Sequence, residues 1–339
     1  MLGSILEKSK QIYIKDRTLS VLLEKAKRHS SDIEVSQDNT NSIKDDDILL
    51  FATMKNEGHR LEYFFDYYRS LGVKHFIIVD NGSTDNTSQI IKSYADISSW
   101  YTEASYKDSN FGMHWLNHLL NEYGVGHWCM TCDPDEFLVY PYMQSRDLKD
   151  LTDYLDSLKE EAFFTLMVDM YSKSPVEEAV YTPGQNPLEV CPYFDKTGYS
   201  KFYYHKYRNL FVQGGVRRRV FSRKNPSASP ALNKVPLIKW KKGYAYVESM
   251  HMALPKHLNA CCYITKTHGA LLHYKFISQL QDKVNEELVA KQHFNDSAEY
   301  KMYDGIIKER TVLFDESVSQ EFTSWKDLAQ LGLINTGEW

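Results

Sequence analysis

Two hydrophobic periods alternate between residues 48 and 168, and this alternation constrains the fold more than any other feature. Ile48 to Met54 is an unbroken apolar run, as expected of a strand buried on both faces. After Glu57 the apolar residues fall at Leu61, Phe64, Phe65, Tyr68 and Leu71, which is helical spacing, and Gly72 is a natural stop. Val73 to Val79 is a second buried strand, and it runs into the turn-forming cluster Asp80-Asn81-Gly82-Ser83-Thr84-Asp85. Ile90, Ile91 and Tyr94 mark another helix. Phe111, Trp115, Leu119, Leu120 and Tyr123 mark the next, ended by Gly124. His127 to Cys132 reads as a strand, Leu148 to Leu158 as a helix and Ala162 to Val168 as a strand. Strands and helices joined by short connections predict an α/β fold, a Rossmann-like, mostly parallel sheet flanked by helices.

The flanks read differently. Residues 1–30 place Ile5, Leu19, Leu22 and Leu23 among Lys and Arg at helical spacing. They predict an accessory helix or two packed on the main domain, with a basic amphipathic membrane or partner contact as the sharper alternative. Residues 30–47 are polar and aperiodic and read as a linker. From 170 to about 265, prolines break the pattern into loops and short strands. Gly269 to Tyr274 is strand-like, and residues 276–310 suggest two helices. The organisation expected is an N-terminal helical extension and linker (1–47), a main domain (48–275) and a C-terminal helical segment (276–339).

Composition excludes some partners and leaves others. The chain has 339 residues, 42% of them apolar, enough for a sizeable core. Its net charge of -5 argues against a nucleic-acid binder. Arg217, Arg218 and Arg219, with Arg208, Arg223 and Lys224 nearby, form a local basic exception. The five Cys are odd in number and include the adjacent pair Cys261-Cys262, so a reducing, cytoplasmic setting is expected. Cys129 and Cys132 lie in a strand-like run and suit core packing better than zinc. No signal peptide and no membrane span is read in the sequence.

In open α/β sheets, ligands sit beyond the carboxyl ends of the strands. Three polar clusters fall there: Lys55-Asn56-Glu57, Asp80-Asn81 and Asp133-Pro134-Asp135-Glu136. Parallel strands would bring all three to one edge. Asp133 and Asp135 alternate at a strand end, where two carboxylates can address one hard cation, Mg²⁺ or Mn²⁺. The bland alternative is a solvated turn. Val216 to Phe221 alternates, so strand geometry would set Arg217 and Arg219 on one face, available to a diphosphate or an acidic acceptor, with Arg218 on the other.

Ala52-Thr53-Met54-Lys55-Asn56-Glu57, then Asp80 to Thr87, then Asp133 to Leu138, in this order and spacing, resemble family 2 glycosyltransferases. The likeness is strongest to the branch grouped with family 92 and related bacterial enzymes. Lys234-Val235-Pro236-Leu237, His251 and Leu271-Leu272-His273-Tyr274-Lys275 extend it over roughly residues 48 to 276. The resemblance implies a GT-A fold, a nucleotide-sugar donor, with UDP-sugar favoured, a divalent cation and a glycan or lipid-linked acceptor in surface polysaccharide synthesis. The expected location is cytoplasmic, with peripheral contact at the inner face of the membrane as an option. On this basis Thr53, Asn56, Glu57, Asp80 and Asn81 would bind the donor, with Asp133, Arg217, Arg219 and Lys275 towards its phosphates. Asp133, Asp135 and either His273 or His251 would hold the metal. An inverting transfer needs a carboxylate to take the acceptor proton; Asp169, Asp195 and Glu248 are the candidates. The family's usual acidic pair heading a helix is missing at this point. A sugar nucleotidyltransferase is the rival enzyme, but it would carry a Gly-rich basic loop where Met54-Lys55-Asn56-Glu57 stands. A non-catalytic glycan-binding or scaffold protein is the rival from another class.

Overall fold

A computed structural model describes residues 18–247, 249–262, 266–281, 283–285, 303–305 and 308–339. Nine strands form the central sheet. They are β1 (Glu34–Gln37), β2 (Ile48–Met54), β3 (Val73–Asp80), β4 (Ile97–Tyr101), β5 (Trp128–Thr131), β6 (Glu136–Val139), β7 (Ala162–Asp169), β8 (Asn233–Lys239) and β9 (Gly269–His273). The order across the sheet is β1-β4-β3-β2-β5-β8-β7-β9-β6.

The sheet is mixed, which corrects the mostly parallel expectation. β2, β3, β4, β5, β7 and β9 run one way, and β1, β6 and β8 run against them. Two local causes are visible. Only residues 132–135 separate β5 from β6, too few for a helical crossover, so β6 enters the sheet reversed. β8 lies antiparallel between β5 and β7, and its register slips between Lys234 and Leu237. That slip brackets Pro236, which has no N–H to give a ladder and is tolerated in an inner strand at such an irregularity.

Among the described residues, five helices accompany the sheet: α1 (residues 18–29), α2 (Leu61–Leu71), α3 (Thr87–Lys92), α4 (Met113–Tyr123) and α5 (Leu148–Ser157). α2 buries Leu61, Phe64, Phe65, Tyr68 and Leu71 and ends at Gly72, whose φ of 110° is the left-handed stop that glycine supplies. α5 starts with a capping box between Asp147 and Asp150. α2 also secures the outer strand β6. Tyr67 Oη donates to the Leu138 carbonyl at 2.6 Å, and Tyr68 Oη donates to the Glu136 carbonyl at 2.9 Å while accepting from Leu138 N–H at 3.2 Å. These bonds occupy backbone groups that an edge strand otherwise leaves open.

The flanks depart from the expected organisation. Residues 30–47 are not a free linker: β1 lies in them and pairs with β4, and Gln37 and Asn39 side chains donate to the Ile97 carbonyl at 2.9 Å. α1 packs on the body through Leu22, which clusters with Ala245 and Leu254; residues 1–17 lie outside the described residues. The stretch 216–221 is a π-helical turn over Arg217–Phe221, not a strand. Past residue 275, Ile277, Leu280, Val284 and Tyr303 are buried, while Leu288, Ile306 and Ile307 lie outside the described residues. The C-terminal segment is not wholly helical, because Ser319–Glu321 pairs with Tyr193–Asp195 before the short helix Trp325–Gln330. All five cysteines are buried and unbridged.

Gly269 tests how tightly β9 is held between its neighbours. A Cβ there would overlap the Val139 carbonyl oxygen of β6 and lie 3.0 Å from the Phe163 ring. Gly269→Ala should destabilise the protein by about 1–3 kcal/mol through overpacking, read as a lower urea midpoint with an unchanged slope.

Candidate functional site

The carboxyl ends of β2, β3, β5, β7 and β9 and the starts of β6 and β8 meet at one edge of the sheet, because the last two run in reverse. Residues 132–135 cross this edge. The Cys132 N–H donates to the Phe51 carbonyl at 3.3 Å, and the Asp135 carbonyl accepts from Tyr274 N–H at 2.9 Å. The crossing is therefore tied to β2 on one side and to the end of β9 on the other.

At the β2–β3 side, two loops brace each other. Asn56 has a φ of 54°, which Asn tolerates better than most residues. Its Oδ1 accepts from Thr84 N–H at 2.8 Å, and its N–H donates to Ser83 Oγ at 3.0 Å. Asp80 is buried; one oxygen accepts from Ser83 N–H at 2.9 Å and the other from the Ser88 hydroxyl. Asn81 Nδ2 donates to the Thr102 and Ala104 carbonyls at 3.2 and 3.0 Å. Glu57 pairs with Arg60 Nε at 3.0 Å and with Lys283. The Thr53 hydroxyl is buried without a hydrogen-bond partner among the described residues, and it faces Gly112 at the start of α4, where a Cβ would lie 2.8 Å from it.

At the β6–β7–β9 side, acids and cations interleave. His273 Nδ1 meets Asp169 Oδ1 at 2.6 Å, and His273 Nε2 faces Asp135 Oδ2 at 3.3 Å. Arg217 donates to both oxygens of Asp169 at 2.8 and 2.9 Å. Lys234, at the start of β8, pairs with Glu136 and with Asp133 at 3.3 Å. Arg60 Nη1 stands 4.0 Å from Asp135.

Charge follows from these contacts. Burial alone would raise the Asp135 carboxyl, but His273 and then Arg60 bring it well below the usual carboxylate range. Asp169 is likewise depressed, burial being outweighed by Arg217 and then by His273. Burial would discharge His273, but Asp135 and Asp169 raise it above its ordinary value. Burial also opposes charge on Lys234, and Glu136 and Asp133 overcome it, so this lysine stays cationic.

The sequence-predicted residues therefore separate into groups. Asp135, His273, Asp133, Asp169 and Arg217 are brought together, and Asn56, Glu57, Asp80 and Asn81 share the same edge. Asp169 is not an open carboxylate: its side chain is 1% exposed and both oxygens are engaged. Asp195 is buried too, held by Arg219 at 2.8 Å on each oxygen and by the Tyr171 hydroxyl. Glu248 lies outside the described residues. In the π-helical turn, Arg217 and Arg219 serve two different carboxylates instead of one face. His251 Nδ1 donates to the Asn233 carbonyl at 2.6 Å, and burial followed by Lys234 lowers its pKa to about 4. It does not join Asp135. Lys275 sits 4.9 Å from the centroid of the Tyr303 ring. Among the described residues no three His, Cys, Asp or Glu are grouped to hold a metal. Arg60 and Lys283 belong to the cluster without having been singled out, and Glu136 and Lys234 without a role having been assigned to them. Arg60 had one signal, its position three residues after Glu57. Lys234 stood in a stretch that carries the resemblance, but its strand was hidden behind Pro230 and Pro236.

Residues 51–144 match the family model described as Glycosyl transferase family 2. The matched segment runs from β2 to just past β6 and ends before Asp169, Arg217, Lys234 and His273. No curated protein matches the chain. No helix among the described residues is long and apolar enough to cross a membrane.

Removing Arg217 should expose its role as the counter-ion of Asp169. Arg217→Met leaves a buried carboxylate with one partner fewer and should cost about 3–5 kcal/mol, while Arg217→Met/Asp169→Leu should recover a large part. The cost should also depend on pH. Asp169 is depressed in the fold, so its contribution is full above its unfolded value of 3.8 and fades as pH falls towards the folded one. His273 is raised, so its contribution is full below 6.5 and fades as pH rises through its folded value. Urea unfolding of wild type and variant between pH 3 and pH 9 reads both limbs.

Proposed function

We propose that this protein transfers a sugar from a nucleotide-diphosphate donor, a UDP-sugar, to a hydroxyl of a glycan or lipid-linked acceptor. One observation carries the reading: Asp135 Oδ2 and His273 Nε2 face each other 3.3 Å apart at the sheet edge, with Nδ1 of the same ring turned to Asp169. A histidine that donates from Nδ1 directs its Nε2 lone pair at the Asp135 carboxylate. That arrangement calls for a proton or a cation between them. Two ligands of one Mg²⁺ or Mn²⁺ stand about 3 Å apart, and such ions keep waters and take substrate phosphates for their remaining positions. Asp135 and His273 thus fit a divalent cation with two protein ligands, and Asp169 would hold the ring orientation, as metal-bound histidines commonly require. When bound, the cation neutralises the departing diphosphate.

The chain's own residues supply the rest. Asp80, Glu57 and Asn56 line the side on which the nucleoside would lie, and the Thr53 hydroxyl is buried there without a partner among the described residues. Lys234 and Arg60 put fixed positive charge beside Asp133 and Asp135, where a diphosphate would rest. An inverting course needs a base at the acceptor hydroxyl. With Asp169 and Asp195 committed to arginines, Glu248 remains of the three carboxylates considered. The setting is surface polysaccharide synthesis, with the enzyme in the cytoplasm or at the inner face of the membrane.

A second reading, a non-catalytic glycan-binding or scaffold protein on the same fold, draws on one fact: the described acids lack a third grouped ligand and already have cationic partners. Calorimetric titration with UDP, GDP and CDP, each with Mn²⁺ and with EDTA, separates the two. Metal-dependent binding of UDP, lost at least tenfold in Asp135→Ala, is expected of the transferase. Absence of nucleotide binding under every condition would favour the scaffold. In a transfer assay, Glu248→Gln should lower turnover by two or more orders of magnitude and spare UDP affinity. Unchanged turnover would exclude Glu248 as the base.

A further inference from the structure

Beyond the catalytic edge, charge is distributed very unevenly. Between residues 196 and 247 there are 13 Lys and Arg and no Asp or Glu, in a chain whose net charge is -5. Some of these cations are spent internally, on Asp169, Asp195, Glu136, Asp156 and Glu161. Others stand at the surface around one element, the antiparallel ribbon of Ser200–Tyr204 and Asn209–Gln213.

The ribbon is two-faced in an unusual sense. Its inner face is largely apolar: Val212 is fully buried, and Tyr203 and Leu210 pack against the main core, while Lys201 of the same face is exposed. Its outer face is aromatic as well. Phe202 and Tyr204 are 52% and 41% exposed, Phe202 meets its cross-strand partner Phe211 in a tilted contact at 4.7 Å, and Tyr204 meets Tyr207 at 5.3 Å. Lys206 and Lys256 lie over the Tyr207 ring at 5.0 and 5.4 Å, and His205 and Arg208 are exposed in the turn between the strands. A solvent-facing ribbon normally carries polar residues outward. Here large rings point out and basic residues ring them, with no acid in the segment to offset the charge.

We propose that this ribbon docks the protein on an anionic lipid bilayer, Phe202, Tyr204 and Phe211 entering the headgroup boundary while Lys206, Arg208 and Lys256 meet the lipid charges. Aromatic rings favour the membrane–water boundary, and each basic side chain near an anionic surface adds to the attraction. Phenylalanine at the centre of the outer face favours lipid over an acidic glycan, which would be met by hydroxyl-bearing rings lining a groove. The ribbon is anchored near the catalytic edge. Asn209 and Asn233 both donate to the His251 carbonyl, at 2.7 and 3.2 Å, and Asn233 precedes Lys234 in β8. Docking would thus hold that edge close to the bilayer surface. The inference stands independently of the reaction assigned to the site.

Flotation of the full chain with vesicles of phosphatidylcholine alone, or containing one third phosphatidylglycerol, tests this. Binding is expected to the anionic vesicles only and to weaken as salt rises. Phe202→Ser/Tyr204→Ser and Lys206→Glu/Arg208→Glu should each weaken it about tenfold or more, with UDP binding and circular dichroism unchanged. The proposal is overturned if anionic vesicles are not bound, or if both variants float like wild type. It is equally overturned if the variants lose binding to an acidic polysaccharide, or lose self-association by light scattering, while flotation is unaffected.

Discussion

Asp169 lies buried at the end of β7 with Arg217 on both oxygens and His273 on one, and the rest of the site is arranged around that contact. A carboxylate at this depth is tenable only with fixed cations beside it. Arg217 is brought there by a tight turn and His273 by the parallel pairing of β9 with β7, in which His273 lies opposite Asp169. The same ring then presents its other nitrogen to Asp135. One buried ion pair therefore sets the direction of the group that faces the D-x-D residue, and a parallel strand pair sets its position.

The parts of this design differ in how far they can be read from residues alone. The strands β2, β3, β5 and β7 and the helices α2, α4 and α5 were legible, because a strand buried on both faces and a helix with one apolar stripe have distinct periods. The polar residues at the ends of β2, β3 and β5 were legible for the same reason, since an apolar run that stops at Asp or Asn marks a strand end. β8 was not. Its apolar run is broken by Pro236, and only the bulge that absorbs this proline makes an inner strand of it. The sheet's mixed directions followed from that strand and from the shortness of the β5–β6 connection. Arg217 and Arg219 were noticed for their charge, yet their alternation with Arg218 suggested a strand. The turn they form takes each to a separate buried acid, a choice made by tertiary partners and not by local pattern. Asp169 was correctly placed at the edge, but its partners lie 48 and 104 residues further along. No local signal could show that its oxygens were taken.

The cationic side chains of this protein have two kinds of employment. Those that reach the sheet edge neutralise acids in a space with little water, where each pairing also fixes an angle. Those that remain on the ribbon between residues 200 and 213 face outward among aromatic rings, in a stretch of chain without acids. The two sets are neighbours in sequence, and the chain between Asp195 and Glu248 serves both by turning Arg217 and Lys234 inward and Lys206 and Arg208 outward.

The distance along the chain between the acids and their counter-ions has a consequence for how the molecule comes into being. Glu57, Asp80, Asp133, Asp135, Glu136 and Asp169 are all synthesised before Arg217, Lys234, His273 and Lys283. A nascent chain that has emerged only as far as β7 would hold like charges at one edge with little to balance them, and the slot between β5 and β7 would be empty. Non-local closure of this kind is slow. This edge therefore cannot be completed until the chain has been made through Lys283, and until β8 arrives the strands on either side of it have their inner edges open.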